Sequence, residues 1–319
     1  MAMTEITRRG FVTHSASAAV ALVFGGVADA KDDGDSSPRA GMTLGFSTYG
    51  MKSLKTEEAL EVISEIGFDA VEVTVWPDWD AAPARMDKER RARMRSKLSE
   101  EKLKLTSLME HVSPSADEAQ HQKDLERFRS VFELARDLAP KDPPVVQTVL
   151  GSGRFDEKKN MIRDRVGDWV ELGRQHGVVT CVKPHRGGVV SQPSEAIWIL
   201  KQLEQPRWAR MVYDYSHYIF RDIPFVESIR EALPYTSHVA VKDTVRKGTG
   251  TEFVLPGEAG TIDFVTLLKE LAKGGYAGDI SCEVSGMVWS KPDYKPAAAA
   301  RTCYTNLSSA FEKAGVKRR

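Results

Sequence analysis

The sequence predicts an α/β fold, a single (β/α)8 TIM barrel, on three observations. Short β-like runs alternate with longer amphipathic stretches from Gly41 onward, and the runs number eight. Repeated βα units close most simply into a parallel barrel, because right-handed crossovers carry every connecting helix to the outside. No Gly/Ser/Pro-rich linker divides residues 43–319, and barrels of this kind routinely fill about 250 residues as one unit. The competing open doubly wound sheet lacks its phosphate-binding turn. Gly45-Phe46-Ser47-Thr48 stands where Gly-x-Gly-x-x-Gly would follow the first strand.

Taken in order, the expected strands are Thr43 to Thr48, Ala70 to Val75, Leu105 to Met109, Val145 to Val149, Val178 to Lys183, Met211 to Asp214, His238 to Val241 and Ile280 to Val284. Between them lie apolar residues at three- and four-residue spacing, which turns one side of a helix inward. The clearest sets are Ala59, Leu60, Ile63 and Ile66; Leu125, Phe128, Phe132 and Ala135; Ile162, Val166, Trp169, Val170 and Leu172; and Phe264, Leu267, Leu268 and Leu271. The strand starts are too unevenly spaced for a solenoid.

Residues 1–30 differ in kind. Thr7-Arg8-Arg9-Gly10-Phe11-Val12 precedes an uncharged stretch from Ala16 to Val27, and Ala28-Asp29-Ala30 offers a small-x-small cleavage site. Paired arginines before Phe resemble a twin-arginine signal peptide, which implies a periplasmic or secreted protein. The apolar stretch is shorter than the roughly 20 residues a bilayer span needs, so no stable membrane association is expected after cleavage. Polar, turn-rich residues 31–42 read as a disordered leader before the barrel domain at 43–319. Twin-arginine export of already folded proteins favours a cofactor-bearing enzyme and substrates without phosphate.

Composition removes other classes. Forty-five basic residues balance 45 acidic ones, so no general field attracts a polyanion, and no nucleic-acid partner is expected. The 3 cysteines, Cys181, Cys282 and Cys303, match neither a disulfide framework nor a Cys-x-x-Cys zinc site.

In a parallel barrel the C-terminal strand ends share one rim, so residues far apart in sequence converge there. That rim collects Glu72 and Trp76, Glu110 and His111, Gln147, Lys183 and His185, Asp214 and His217, His238 and Lys242, and Glu283. Each has a bland reading: a strand-end His commonly satisfies a carbonyl, and a buried acid caps a helix or pairs with Lys. Gathered together, they need a cation, a substrate or a dense hydrogen-bond network to offset their burial. Mixed carboxylate and imidazole donors suit Mn, Co or Zn, whereas carboxylate with water suits Mg.

In their order and spacing, four segments resemble the xylose isomerase-like barrel superfamily of sugar isomerases and epimerases, inosose dehydratases and endonuclease IV. They are Val212-Tyr213-Asp214-Tyr215-Ser216-His217, Ser237-His238-Val239-Ala240-Val241-Lys242-Asp243, the run from Leu255 to Phe264, and Ser281-Cys282-Glu283. The resemblance covers roughly residues 43–315. It implies a divalent metal ion held by Asp214, His238 and Glu283, and it gives Glu258 a loop-shaping role. One departure stands out: the family places a glutamate at the end of strand five, and here Lys183-Pro184-His185 is found. An ammonium has no lone pair for a metal. Three outcomes stay open: the ion keeps three ligands plus His185, Glu72 or water; Lys183 replaces the ion's charge; or Lys183 is itself catalytic. Losing one of two opposed glutamates argues against symmetric two-base epimerisation. The endonuclease reading loses the same glutamate, and the Asp-x-His pair before the turn is replaced by Glu252-Phe253-Val254.

The combined expectation is a carbohydrate isomerase or epimerase abstracting a proton α to a carbonyl with metal assistance. Glu283, Lys183, His185 and Glu72 are the expected catalytic residues, and His111, His217, Trp76, Gln147 and Lys242 the substrate-binding ones. The expected partner is a small-molecule carbohydrate, with self-association into a homo-oligomer as a further expectation. The alternatives are a keto-sugar lyase or dehydratase and a noncatalytic carbohydrate-binding barrel.

Overall fold

The computed structural model describes residues 41–221, 223–248 and 250–319. The expected signal peptide lies outside the described residues, as does the leader apart from its last two residues. Of these, Met42 is buried and bridges to Arg318.

Eight strands form a closed parallel barrel: β1 (Thr43–Ser47), β2 (Ala70–Thr74), β3 (Lys104–Met109), β4 (Val145–Thr148), β5 (Thr180–Val182), β6 (Ala209–Tyr213), β7 (Thr236–Val241) and, last in sequence, β10 (Asp279–Cys282). Each expected run contains or overlaps one of them. β1 pairs with β10 as well as with β2, which closes the ring. An antiparallel hairpin of β8 (Asp243–Lys247) and β9 (Gly250–Val254) was not expected and follows β7 directly.

The principal helices are α1 (Thr56–Ile66), α2 (Lys88–Glu100), α3 (Glu118–Leu138), α4 (Phe155–His176), α5 (Pro193–Leu203), α6 (Phe225–Ala232) and α7 (Phe264–Lys273), followed by the one-turn α8 (Gly286–Trp289) and the long α9 (Pro296–Ala314). Their expected apolar stripes are the buried ones: Phe128, Phe132 and Trp169 interlock between α3 and α4 at ring distances of 5.6 and 4.6 Å. Asp87, Asp117 and Asp263 cap α2, α3 and α7 by accepting from backbone N–H groups of the first turn. Gly177 ends α4 at φ +67°, a conformation in which a Cβ would be strained. None of the described helices is long and apolar enough to cross a membrane. All three cysteines are free and buried.

Strand alternation sorts the barrel interior into layers. Cys181, Val212 and Ala240 make a small apolar patch of their own. Near the N-terminal end of the strands, Asp279 accepts from Thr43 and Thr106 at 2.8 and 3.0 Å. Gly45 belongs beside it because a Cβ there would lie 2.7 Å from the Asp279 carboxylate. Mid-strand residues Glu72 and His238 form the next layer, and residues just past the strand ends form the rim.

Candidate active site

Sheet hydrogen bonds continue one residue beyond the strands and fix the rim. Lys183 N donates to Thr148 O at 2.9 Å, and Glu283 N donates to Val241 O at 3.0 Å. Their side chains, with Lys242 two layers above His238 on β7, enter a cavity of about 210 Å³. Trp76, His111, Gln147, His185 and His217 also line it. Thus eight of the residues expected at the site share one cavity. A second cleft of about 520 Å³ opens beside it and shares His111 and His185.

Three buried charges, Lys183, Lys242 and Glu283, line the cavity floor, and a fourth, Asp214, pairs with the lysines. Lys183 and Lys242 are 3% and 2% exposed, Asp214 and Glu283 0% and 6%. Lys242 Nζ donates to Asp214 Oδ2 and to Glu283 Oε1, each at 2.6 Å. Lys183 Nζ donates to Glu283 Oε2 and lies 3.2 Å from Asp214 Oδ2. The remaining Asp214 oxygen accepts from Ser216 Oγ at 2.5 Å and from Ser216 N at 3.2 Å, which caps the 3-10 turn Tyr215–His217. Every oxygen of both carboxylates therefore has a donor. Burial alone would raise these acids, but the ammoniums reverse it. Glu283 is held down at about 2 by Lys183 and Lys242, and Asp214 lies well below its usual range. Burial likewise opposes the Lys183 charge, yet Glu283, Asp214 and Glu72 keep it protonated far above the usual lysine range.

Glu72 and His238 do not reach the cavity. They sit mid-strand, below the floor, where His238 Nε2 stands 3.1 Å from Glu72 Oε2. The pair is close enough for a strong charge attraction although His238 Nε2 has no well-formed hydrogen bond. Burial would neutralise His238, and Glu72 outweighs it, raising the imidazole above its ordinary value. Gln147 Nε2 donates to Glu72 Oε2 and tops this lower cluster. The metal trio implied by the family resemblance is therefore divided. Asp214 and Glu283 turn to two ammoniums, while His238 turns to Glu72. Among the described residues no three of His, Cys, Asp or Glu are placed to hold one ion. As arranged, these residues do not fit a resident divalent ion, and Glu72 as a reacting acid is likewise not placed to meet a ligand in the cavity.

Neutral imidazoles guard the mouth. Backbone N–H groups of Arg186 and Gly187 donate to His217 Nδ1 and His185 Nδ1 at 3.4 and 3.3 Å, which puts each ring proton on Nε2. The two rings lie 4.1 Å apart. Burial first, then neighbouring charges, lower His185 to about 2; burial and Lys242 lower His217 to about 4. Burial also lowers His111, whose ring leans on Trp76 at 5.2 Å.

Further residues complete the walls and cover of the cavity. Tyr49 packs against Trp76, Trp79 and Trp289 at 5.3–5.4 Å and makes an aromatic wall. Phe253 of β9 covers the mouth, 5.3 Å from the His217 ring and 4.0 Å from the Arg186 guanidinium. Glu110 is engaged by Arg127 at 2.7 Å and by His111 N at 2.9 Å, which spends its charge on shaping the wall. Tyr213 and Tyr215 point away from the cavity, to Ser228 Oγ and Ile223 O. Glu258 accepts from Leu255 N at 2.9 Å, a loop-shaping bond.

Residues 60–304 match the family model described as xylose isomerase-like TIM barrel. A Mus musculus protein named provisionally as a hydroxypyruvate isomerase is 31% identical over 104 residues, which are 30% of this chain. The match spans 35% of that protein, about a third of its length. The fold is similar to that of 3-keto-D-glucoside 4-epimerase YcjR from E. coli, with a TM-score of 0.64, 15% identity, and 84% and 99% of the two chains covered. It is also similar to the IOLI protein solved with a binding zinc atom, with a TM-score of 0.69, 18% identity, and 86% and 98% covered. With a closed eight-stranded barrel and a family match over most of its length, the chain belongs to the xylose isomerase-like TIM barrel family.

Proposed function

We propose that this barrel moves a proton at the carbon beside a carbonyl in a small keto-sugar or glycoside-derived sugar, as a carbohydrate isomerase or epimerase. The observation that carries the reading is a carboxylate, Glu283, bracketed by two ammoniums on the floor of a small aromatic-walled cavity. At about 210 Å³ the cavity is smaller than the roughly 300–1,000 Å³ of a drug-sized site and suits one sugar ring.

The proposed chemistry keeps charge balanced. Glu283 accepts the α-proton, the C–H electron pair passes to the carbonyl oxygen, and the ammoniums that had paired Glu283 turn to the new oxyanion. A negative charge moves by a few ångströms and never lacks a counter-charge. The Nε2–H groups of His185 and His217 donate to substrate oxygens, and Trp76 offers a face to the ring. Passing the hydroxyl proton from one enediolate oxygen to the other and returning the abstracted proton to the adjacent carbon completes isomerisation; epimerisation requires instead that a proton return to the same carbon from the opposite face. The twin-arginine-like leader supports work outside the cytoplasm on sugars without phosphate.

Incubating the enzyme with a panel of ketoses and 3-keto-glycosides in deuterated water tests this. The expected result is one deuterium entering recovered sugar, abolished by Glu283→Gln. Release of water or an aglycone instead identifies a lyase. Binding of these sugars without exchange or product makes the barrel a carbohydrate-binding protein and sinks the reading.

A further inference from the structure

We propose that the lysine pair is itself the cation of this site: Lys183 and Lys242 stand in the place of a divalent ion, and the folded barrel binds none at Asp214 and Glu283. Three observations converge. Both oxygens of each carboxylate already accept from Lys183, Lys242 or Ser216, so an ion could bind there only in competition with an ammonium. The two ammoniums match the two carboxylates in charge, all four nearly free of solvent contact. A dication added there would have no anion left to offset it and would face two buried positive groups. The third donor of the expected trio is committed elsewhere, with His238 deeper in the barrel against Glu72.

An ammonium pair also offers what a point ion offers to a ligand. Each Nζ has three N–H donors; Lys242 gives one to each carboxylate, and Lys183 gives one to Glu283 while lying 3.2 Å from Asp214. Both lysines line the cavity, which sets their ammoniums beside any ligand it holds. Two such donors match vicinal oxygens, the pattern of a hydroxy-carbonyl or its enediolate. That last step rests on the proposed proton transfer, whereas the absence of a bound ion does not.

Metal content decides the matter without reference to turnover. The wild-type protein, incubated separately with Mn, Co and Zn and then desalted, should retain far less than one ion per chain, and its melting temperature should not move on adding EDTA. One ion per chain surviving desalting, or a melting temperature lowered by EDTA, overturns the proposal. Lys183→Glu replaces one cation by a third carboxylate, so its affinity for Mn, read by calorimetry, should exceed the wild type's by on the order of tenfold or more. A folded Lys183→Glu protein binding Mn no better than wild type also overturns it. Should that variant not fold, the wild-type measurements stand alone. If the metal results hold while no sugar exchanges deuterium, the isomerase reading fails and the lysine centre survives.

Discussion

Lys242 is the residue on which the floor of the site turns. It is the only one of the two lysines with a 2.6 Å bond to each carboxylate, and its Nζ lies under Phe253, 5.5 Å from the ring centre. Removing one partner of a buried ion pair leaves an uncompensated charge, which costs about 3–5 kcal/mol. Lys242→Met should therefore lose about that much stability in urea unfolding at pH 7, and Lys242→Met/Asp214→Asn should recover part of it. A loss below about 1 kcal/mol is the value of a solvent-screened pair and would contradict the burial seen here. Lys183 was visible in sequence as a departure from the family's glutamate. Lys242 was visible only as a polar residue beside a strand end, because nothing in Val241-Lys242-Asp243 says which charges it will meet.

At the scale of elements, the hairpin of β8 and β9 turns an open barrel mouth into a covered one. Asp243 anchors it: one carboxylate oxygen accepts from Thr244 N at 2.8 Å, the other from Ala259 N and Gly260 N at 3.1 and 2.9 Å. Arg186 Nη1 donates to Thr251 O at 3.1 Å and ties the hairpin to the loop after β5. Phe253 is then held over the His217 ring and the Lys242 ammonium, where it shields that charge from water. Phe253→Ala should lower kcat/KM on the order of tenfold, the loss of about 1.4 kcal/mol of contact, while leaving the melting temperature nearly unchanged because β9 lies outside the barrel. Steady-state kinetics beside a thermal melt checks this, and a large drop in melting temperature would make Phe253 a core residue instead. Sequence alternation missed the hairpin since only one of its residues after Thr244, Phe253, is buried. A strand whose two faces are mostly polar has no period-two signal to read.

At the scale of the whole molecule, the barrel carries a polar axis from Asp279 at its base through Glu72 and His238 to the lysine pair at its mouth. The base makes its own contribution to pH dependence. Burial pushes the Asp279 carboxyl up from 3.8 to about 6, so between those values the folded state holds a proton that the unfolded state has lost. For a raised acid, stability falls as pH rises through that window, and the full penalty is present above about 6. Asp279→Asn removes the titration while keeping the shape next to Gly45, Thr43 and Thr106. Its stability relative to wild type should therefore climb between pH 4.5 and 7.5. Urea unfolding at the two pH values measures the difference, and a constant gap would show that Asp279 does not change its charge on that range.

The eight strands, the helical stripes and the rim position of most site residues were all legible in the sequence, because periodicity and strand order depend on local spacing and on the handedness of βα crossovers. Counting by twos along β7 even separates His238 from Lys242 by two layers. What only the tertiary structure decided is which opposite charges meet. Lys183, Lys242, Asp214 and Glu283 come from four strand ends, and their pairing depends on side-chain reach across the barrel, a distance that no sequence interval encodes. The cationic centre of the site was settled at that level.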